Sequence, residues 1–210
     1  MIRDELQKRL SLVILIGVII VLSSWHWIFG LHHWMAVPEQ VVAAFDEVKA
    51  GEFTRDALFE LSSLLGCAFL HGDLSHLVNN LLFLWIFGAV VLEICGWRWG
   101  VFIFVSTAIG GSIGQTVLDP TNWIPMLGAS GAVMGFEGAY FGLVVKSPRP
   151  EPHVWPMAHA IPPMNLAILG VIFVAIDLYY IQEAGFTGVA HGAHVGGFVA
   201  GILVSLMKKD

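Results

Sequence analysis

The sequence is poor in charge and in cysteine, and each shortage excludes classes of protein. Only 12% of the 210 residues are charged, whereas a soluble domain carries about a quarter charged residues. The 10 Lys and Arg residues form no basic run, so we predict no nucleic-acid partner. The two cysteines, Cys67 and Cys95, form no C-x-x-C pair, and the sequence contains no H-E-x-x-H motif. We therefore predict no zinc ribbon, no redox motif, no metal site and no cofactor.

The sequence is rich in apolar residues, which make up 57% of the chain. They occur in runs of roughly 20 residues, the length of a transmembrane helix. The charged first residues run directly into the first apolar stretch, so we expect no cleavable signal or transit peptide. We predict an all-α, polytopic membrane protein with a single six-helix domain over residues 1–210. Its spans are predicted at 10–31, 75–95, 99–118, 129–146, 162–181 and 191–207.

The basic residues predict the orientation of these spans. With the N-terminus inside, Lys49 and Arg55 lie outside, and all the others lie inside. The inner residues are Arg3, Lys8, Arg9, Arg98, Lys146, Arg149, Lys208 and Lys209. Both termini are thus predicted to be cytoplasmic. The small size and the lack of a transit peptide favour the cell (inner) membrane of a prokaryote.

Three polar residues of catalytic type are predicted to lie at one membrane depth. In this topology the second, fourth and sixth helices start at the outer face, where His76, Ser130 and His194 are found. Small residues also line one side of the fourth and sixth helices, which favours close approach of the two backbones. These stripes are Gly131, Gly135, Gly138 and Gly142, and Ala193, Gly197, Ala200 and Gly201. If the stripes face each other, Ser130 and His194 meet near the outer end.

A serine beside a histidine is the minimal pair for nucleophilic catalysis, because neutral imidazole takes the hydroxyl proton. The backbone N–H of Ser130, at a helix N-terminus, is a donor for an oxyanion, and His76 and Asn80 share one helix face. Asn80 is equally well explained as a hydrogen bond between helices. His71 and Gln115 are candidates for hydrating the site, and His71 is equally well explained as an interfacial loop residue.

No acid completes a triad in this prediction. Asp177 and Glu137 are intramembrane, and both are expected to lie well below the level of Ser130. His191 and His194 have the i, i+3 spacing that metal ligands use, but no carboxylate or thiolate is expected to complete a zinc set. Metal-dependent proteolysis is therefore the weaker hypothesis.

The motifs resemble those of the rhomboid family of intramembrane serine proteases, over nearly the whole chain. Gly128-Ala129-Ser130-Gly131 is similar to the family's Gly-x-Ser-Gly nucleophile motif. Residues 193–201 resemble its A-H-x-x-G-x-x-x-G motif, with Gly197 and Gly201 as the motif glycines, and 71–80 resemble its second-helix pattern. The resemblance implies that Ser130 is the nucleophile and His194 the general base. It also implies that His76 and Asn80 help to form the oxyanion hole.

The chain departs from the family pattern at two places. The outer loop reads Phe59-Glu60-Leu61-Ser62-Ser63 where many members carry a Trp-Arg pair. Met134 stands where some members have a tyrosine that packs on the catalytic imidazole, so what orients His194 is left open. The role of Glu137 is also left open, between substrate contact and a structural hydrogen bond.

The leading hypothesis is a serine endopeptidase that cleaves transmembrane proteins near their outer helix ends. Its partners are then the lipid bilayer and transmembrane protein substrates. The alternative is a catalytically inactive rhomboid-like protein that binds membrane clients. Such relatives typically lack the serine or the histidine, and this chain has both Ser130 and His194.

Overall fold

The structure, a computed structural model, is α-helical throughout the residues that it describes, which are 9–152, 154, 160–183 and 187–208. Of the residues used to predict orientation, Arg3, Lys8 and Lys209 lie outside this set. The helices are α1 (Leu10–Phe29), α2 (Pro38–Lys49), α3 (Arg55–Gly66), α4 (Leu74–Cys95), α5 (Trp97–Leu118), α6 (Ser130–Lys146), α7 (Pro163–Gln182) and α8 (His191–Met207). This confirms the prediction of an all-α membrane bundle.

Each segment predicted as a span contains one long helix. Within the described residues, α1, α4, α5 and α7 are long and apolar enough to cross a membrane. Helices α6 and α8 have 17 residues each. At 1.5 Å per residue they are about 26 Å long, shorter than a hydrocarbon core of about 30 Å. Their polar first residues are therefore expected to start below the membrane surface.

Helix α6 lies at the centre of the bundle, and α1 lies at its edge. Thirteen of the 17 residues of α6 are buried, although its sequence is no more apolar than that of its neighbours. On α1 the buried residues are Leu12, Ile19 and Ser23, whereas Val21 and Ile28 are largely exposed. A contiguous apolar surface of this kind is typical of contact with lipid. The burial pattern thus separates a lipid-facing helix from the helix that carries Ser130.

The glycine stripes of α6 and α8 face each other, and they bring the two backbones into direct contact. A Cβ at Gly197 would overlap the carbonyl oxygen of Gly131, and a Cβ at Gly201 would overlap that of Gly135. Ala200, which the sequence analysis assigned to the same stripe, instead faces Gly110 of α5. Residues 197 and 200 are three apart, about 60° away from alignment on a helix of 3.6 residues per turn, so they face different neighbours.

Two amphipathic helices, α2 and α3, occupy the long connection between α1 and α4. Helix α3 is followed directly by the 3₁₀ turn Cys67–Phe69. An isolated bridge joins the connection to the segment before α6, with Met126 N–H donating to Ala36 O at 2.8 Å. The connection is therefore tied by backbone hydrogen bonds to the segment that leads into Ser130.

Replacing Gly197 by Ala is expected to destabilise the protein by about 1–3 kcal/mol, because an added methyl must push the α6 backbone away. The measurement is thermal unfolding in detergent micelles. Gly17→Ala on α1 is the matched control, since a Cβ at Gly17 has no atom within 4 Å. Equal unfolding temperatures for the two variants would contradict the close contact of α6 and α8.

Candidate active site

Ser130 is the first residue of α6, and the turn before it requires glycine. Gly128 has φ +128°, a conformation that side chains rarely adopt, and a Cβ there would lie 2.7 Å from Nε2 of His76. Its N–H donates to the carbonyl of Cys67 at 2.9 Å, and the Ala129 N–H donates to Nε2 of His71 at 3.3 Å. Both hydrogen bonds hold the backbone just ahead of Ser130 in place.

A small cavity lies beside Ser130, at the N-terminal end of α6. Its volume is about 20 Å³, room for a single water or one oxygen of a substrate. Ser130, Gly128 and Gly131 line it on one side, and Ala193 of α8 and Cys67 line it on the other. Backbone N–H groups at a helix N-terminus stabilise negative charge. The cavity therefore has the surroundings that an oxyanion needs.

His76 and Asn80 lie on α4, one turn apart. Asp73 caps this helix by accepting the His76 N–H at 2.8 Å, so the cap fixes the helix start that carries His76. The His76 ring packs against the Gly128 backbone. Asn80 is buried and donates one amide hydrogen to the His76 carbonyl at 3.0 Å, which leaves its second amide hydrogen available.

His71 is fully buried, and neither of its ring nitrogens is free. Because Nε2 accepts from Ala129 N–H, Nδ1 carries the proton and donates to Ser23 Oγ at 2.9 Å. Ser23 in turn donates to the Phe69 carbonyl at 3.0 Å, and Trp27 Nε1 donates to the His71 carbonyl at 2.6 Å. Burial, followed by the neighbouring His76, lowers the pKa of His71 to about 3. His71 is therefore a neutral residue that joins α1 to the turn before Ser130, and this geometry does not favour the expected role in hydration.

His194 lies in the first turn of α8, next to the contact between α6 and α8. The carbonyl of Ala193 lies 3.2 Å from the position of a Cβ on Gly131, so the residues on either side are close neighbours. Among the described residues, no hydrogen bond joins Ser130 Oγ to His194. Hydrogen bonds between a nucleophile and its base are often loose without substrate and tighten when substrate binds.

Asp177 contacts His194 directly, which corrects the expectation that it lies well below Ser130. Its Oδ1 and Oδ2 lie 3.0 and 3.1 Å from His194 Nδ1, and its Oδ1 lies 2.6 Å from His191 Nδ1. The reason is chain direction. Asp177 is near the end of α7, and His191 begins α8, so the end of α7 and the start of α8 lie at the same end of the bundle.

The same three side chains also form a set of metal-ligand type. Asp177, His191 and His194 each offer one ligand atom, and these atoms lie within 4.8 Å of one another. Two imidazoles and a carboxylate are donors that zinc accepts. The prediction that no carboxylate lies close enough to His191 and His194 to complete a set of zinc ligands was therefore wrong, because Asp177 does.

Three further residues singled out in the sequence lie around this centre. Gln115 packs its side chain against Gly192 at the start of α8, and its buried Oε1 has no hydrogen-bond partner among the described residues. Glu137 is 1% exposed and faces Gly170 of α7. Met134 is buried in α6, and the hydrogen-bond partner of the His194 ring is Asp177.

Comparison with known proteins gives matches to rhomboid proteins. A family model described as a rhomboid domain matches residues 58–209. RHOMBOID-like protein 12, mitochondrial, of Arabidopsis thaliana is 28% identical over 71% of this chain and 47% of its own length. Putative rhomboid protease YdcA of Bacillus subtilis is 24% identical over 68% of each chain. Rhomboid protease GluP of the same species is 27% identical over 65% of this chain and 24% of its own. This chain thus spans about half the length of the Arabidopsis relative.

The buried neutral His71 is expected to make stability depend on pH. In the unfolded chain its pKa is the ordinary 6.5, and in the folded chain it is about 3. Below 6.5 the unfolded state binds the proton and the folded state does not, so stability is fully present above 6.5 and is lost as pH falls toward 3. Thermal unfolding across this range measures the effect.

His71→Gln removes the titrating group, so its unfolding temperature is expected to fall less steeply with acid than that of the unsubstituted chain. His33→Gln, at an exposed position, is the control and is expected to keep the full slope. An unchanged slope in His71→Gln would contradict the assignment.

Proposed function

The chain belongs to the rhomboid family, and on that premise we propose that it is an intramembrane serine endopeptidase. The proposal is supported above all by one observation. Ser130 opens on a small cavity at the N-terminus of α6, directly beside the turn of α8 that carries His194. The relatives named as proteases, YdcA and GluP, add support at the level of the family.

The proposed reaction is acyl transfer through Ser130 and water. The imidazole of His194 takes the hydroxyl proton while Ser130 Oγ attacks the scissile carbonyl carbon of the substrate. His194 then returns that proton to the leaving amine as the peptide bond breaks. A water molecule, deprotonated by the same imidazole, releases the acyl group and restores Ser130. Proton and leaving group are thus balanced within one serine–histidine pair.

The proposed oxyanion hole lies at the start of α6, on the side where the His76 ring of α4 packs against Gly128, next to the small cavity that Ser130 lines. The negatively charged oxygen accepts from the Ser130 N–H, from the His76 ring packed on Gly128, and from the second amide hydrogen of Asn80. Preorganised donors of this type are each worth about 3–4 kcal/mol of barrier lowering in acyl-transfer enzymes. Asn80→Ala alone leaves the other two donors in place.

Transmembrane proteins are the proposed substrates, since the site is built into a bundle with a lipid-facing surface. A helix in lipid satisfies its own backbone, so the substrate must unwind locally to expose a peptide bond. Small or helix-breaking residues near the cut are therefore expected. In the proposed orientation Arg9, Arg98, Lys146 and Arg149 face the cytoplasm, and the site opens toward the outer face.

A second candidate function, metal-dependent hydrolysis, is favoured by the geometry of Asp177, His191 and His194. In that case a divalent ion would activate the water, and Ser130 would not form a covalent intermediate. The two functions differ in what they require, a nucleophilic serine or a bound metal.

Ser130→Ala and His194→Ala are each expected to abolish cleavage of a model transmembrane substrate in detergent or liposomes, because either change removes one half of the proton transfer. A fluorophosphonate probe is expected to label the unsubstituted chain and not Ser130→Ala. Ser62→Ala, at an exposed position on α3, is the matched control and should keep full labelling.

A chelator separates the two candidates. Under the serine hypothesis EDTA leaves both cleavage and labelling unchanged. Full cleavage by Ser130→Ala, combined with loss of cleavage in EDTA, would reject the serine mechanism in favour of the metal.

Gly128→Ala is expected to lower probe labelling by at least about tenfold, because the methyl collides with the His76 ring that helps to form the oxyanion hole. Gly51→Ala is the control variant, because it introduces backbone strain without a side-chain collision. Gly51 has φ +85°, but a Cβ there has no atom within 4 Å. Equal labelling of the two variants would show that the contact with His76 is unimportant.

A further inference from the structure

Asp177 is a buried carboxylate with two imidazole partners. It is 5% exposed and lies in the last turns of α7. Both of its oxygens lie within 3.1 Å of His194 Nδ1, and Oδ1 is also 2.6 Å from His191 Nδ1. Ionisable residues inside a membrane bundle are rare and commonly serve function, with an identifiable partner. Here the partner of the carboxylate is the proposed general base itself.

The carboxylate determines which nitrogen of His194 carries the proton. An ionised carboxylate only accepts hydrogen bonds, so His194 Nδ1 must donate its hydrogen to Asp177. In the neutral ring Nε2 then has a free lone pair, which is the form that can take a proton from a serine hydroxyl. The opposite tautomer would present an N–H to Ser130 and could not act as base.

His191 anchors the same carboxylate from a second direction. Its Nδ1 also points at Asp177, and its Nε2 lies 2.7 Å from the Thr187 hydroxyl, which donates to it. Its ring stacks on Tyr180 with centroids 5.1 Å apart and planes inclined by 15°. Both contacts limit rotation of the ring, so Asp177 is held between two oriented donors.

We propose that Asp177 is the positioning residue of His194, which extends the serine–histidine pair to an acid-supported triad, with His191 as the anchor of the acid. The inference rests on the proposed function, because it assigns a task to His194. The inference also answers what orients His194 where Met134 replaces the family tyrosine. A carboxylate hydrogen-bonds to Nδ1 of the imidazole, in place of a side chain of α6 that packs on the face of the ring.

The hydrogen bonds can be tested without any cleavage. In the full-length Ser130→Ala chain, labelled with ¹⁵N-histidine in micelles, we expect two strongly downfield Nδ1–H resonances. One is expected to disappear in Ser130→Ala/His191→Ala and the other in Ser130→Ala/His194→Ala. Both should disappear in Ser130→Ala/Asp177→Asn. The absence of a downfield resonance from His194 in the Ser130→Ala chain would overturn the proposal even if the other variants fail to fold.

Kinetics supply the second test. Asp177→Asn, whose amide can donate to Nδ1 and favours the wrong tautomer, is expected to lower kcat by about 10²–10⁴-fold with little change in KM. Asp177→Glu keeps a carboxylate and is expected to recover part of kcat. Asp119→Asn is the control, the same isosteric change at an exposed site near the same end of the bundle, and is expected to retain kcat.

Failure of this inference differs from failure of the proposed function. If Asp177→Asn has a kcat near that of the unsubstituted chain and is still labelled at Ser130, the role of Asp177 is rejected. The proposal of a serine protease then stands. If the unsubstituted chain shows no labelling that depends on Ser130, the proposal of a serine protease is rejected. Persistence of the His194 resonance, identified by its loss in Ser130→Ala/His194→Ala, in the Asp177→Asn background would reject the hydrogen bond itself; the Nδ1–H of His71, which donates to Ser23, is expected to be unaffected.

Discussion

The contact between the backbones of α6 and α8 is the constraint on which the rest of the bundle depends. In lipid, helices gain little from burying apolar surface against one another, so close packing must supply the association. Gly131 against Gly197 and Gly135 against Gly201 permit an approach that any side chain would block. Because the contact begins at the first turns of both helices, it also determines how near Ser130 and His194 can come. Packing and site geometry therefore have one common cause.

The end of the bundle that carries Ser130 is held by polar contacts as well as by apolar packing. His71 joins Ser23 of α1 to the Ala129 N–H, so the edge helix and the turn before Ser130 share one hydrogen-bonded link. The bridge between Ala36 and Met126 adds a backbone link from the connection between α1 and α4. Elements that contribute no candidate catalytic residue thus help to hold the helix N-terminus that carries Ser130.

The apolar runs predict helix bounds to within about two residues, because a hydrophobic segment of spanning length in lipid has few alternatives to a helix. The glycine stripes likewise predict that α6 and α8 pack together, whereas the meeting of Ser130 and His194 stays a prediction. What pattern alone does not predict is contact made through loops. His71 meets partners 48 and 58 positions away, and Asp177 reaches His194 because α7 ends where α8 begins. Pattern alone also did not predict the neighbour of Ala200, because α8 packs small residues against both α5 and α6.

Two carboxyl groups of this bundle illustrate how a membrane interior tolerates an acid. An ionised carboxylate at a helix centre costs about 2.5–3.5 kcal/mol, and each hydrogen bond to a charged group returns about 1.5–3 kcal/mol. Asp177 has two imidazole donors, enough to offset that cost. Glu137 Oε2 is buried with no partner among the described residues. Hydrogen bonding therefore distinguishes the two carboxyl groups, and in the proposed triad the oxygens of Asp177, as acceptors, hold the proton of His194 on Nδ1.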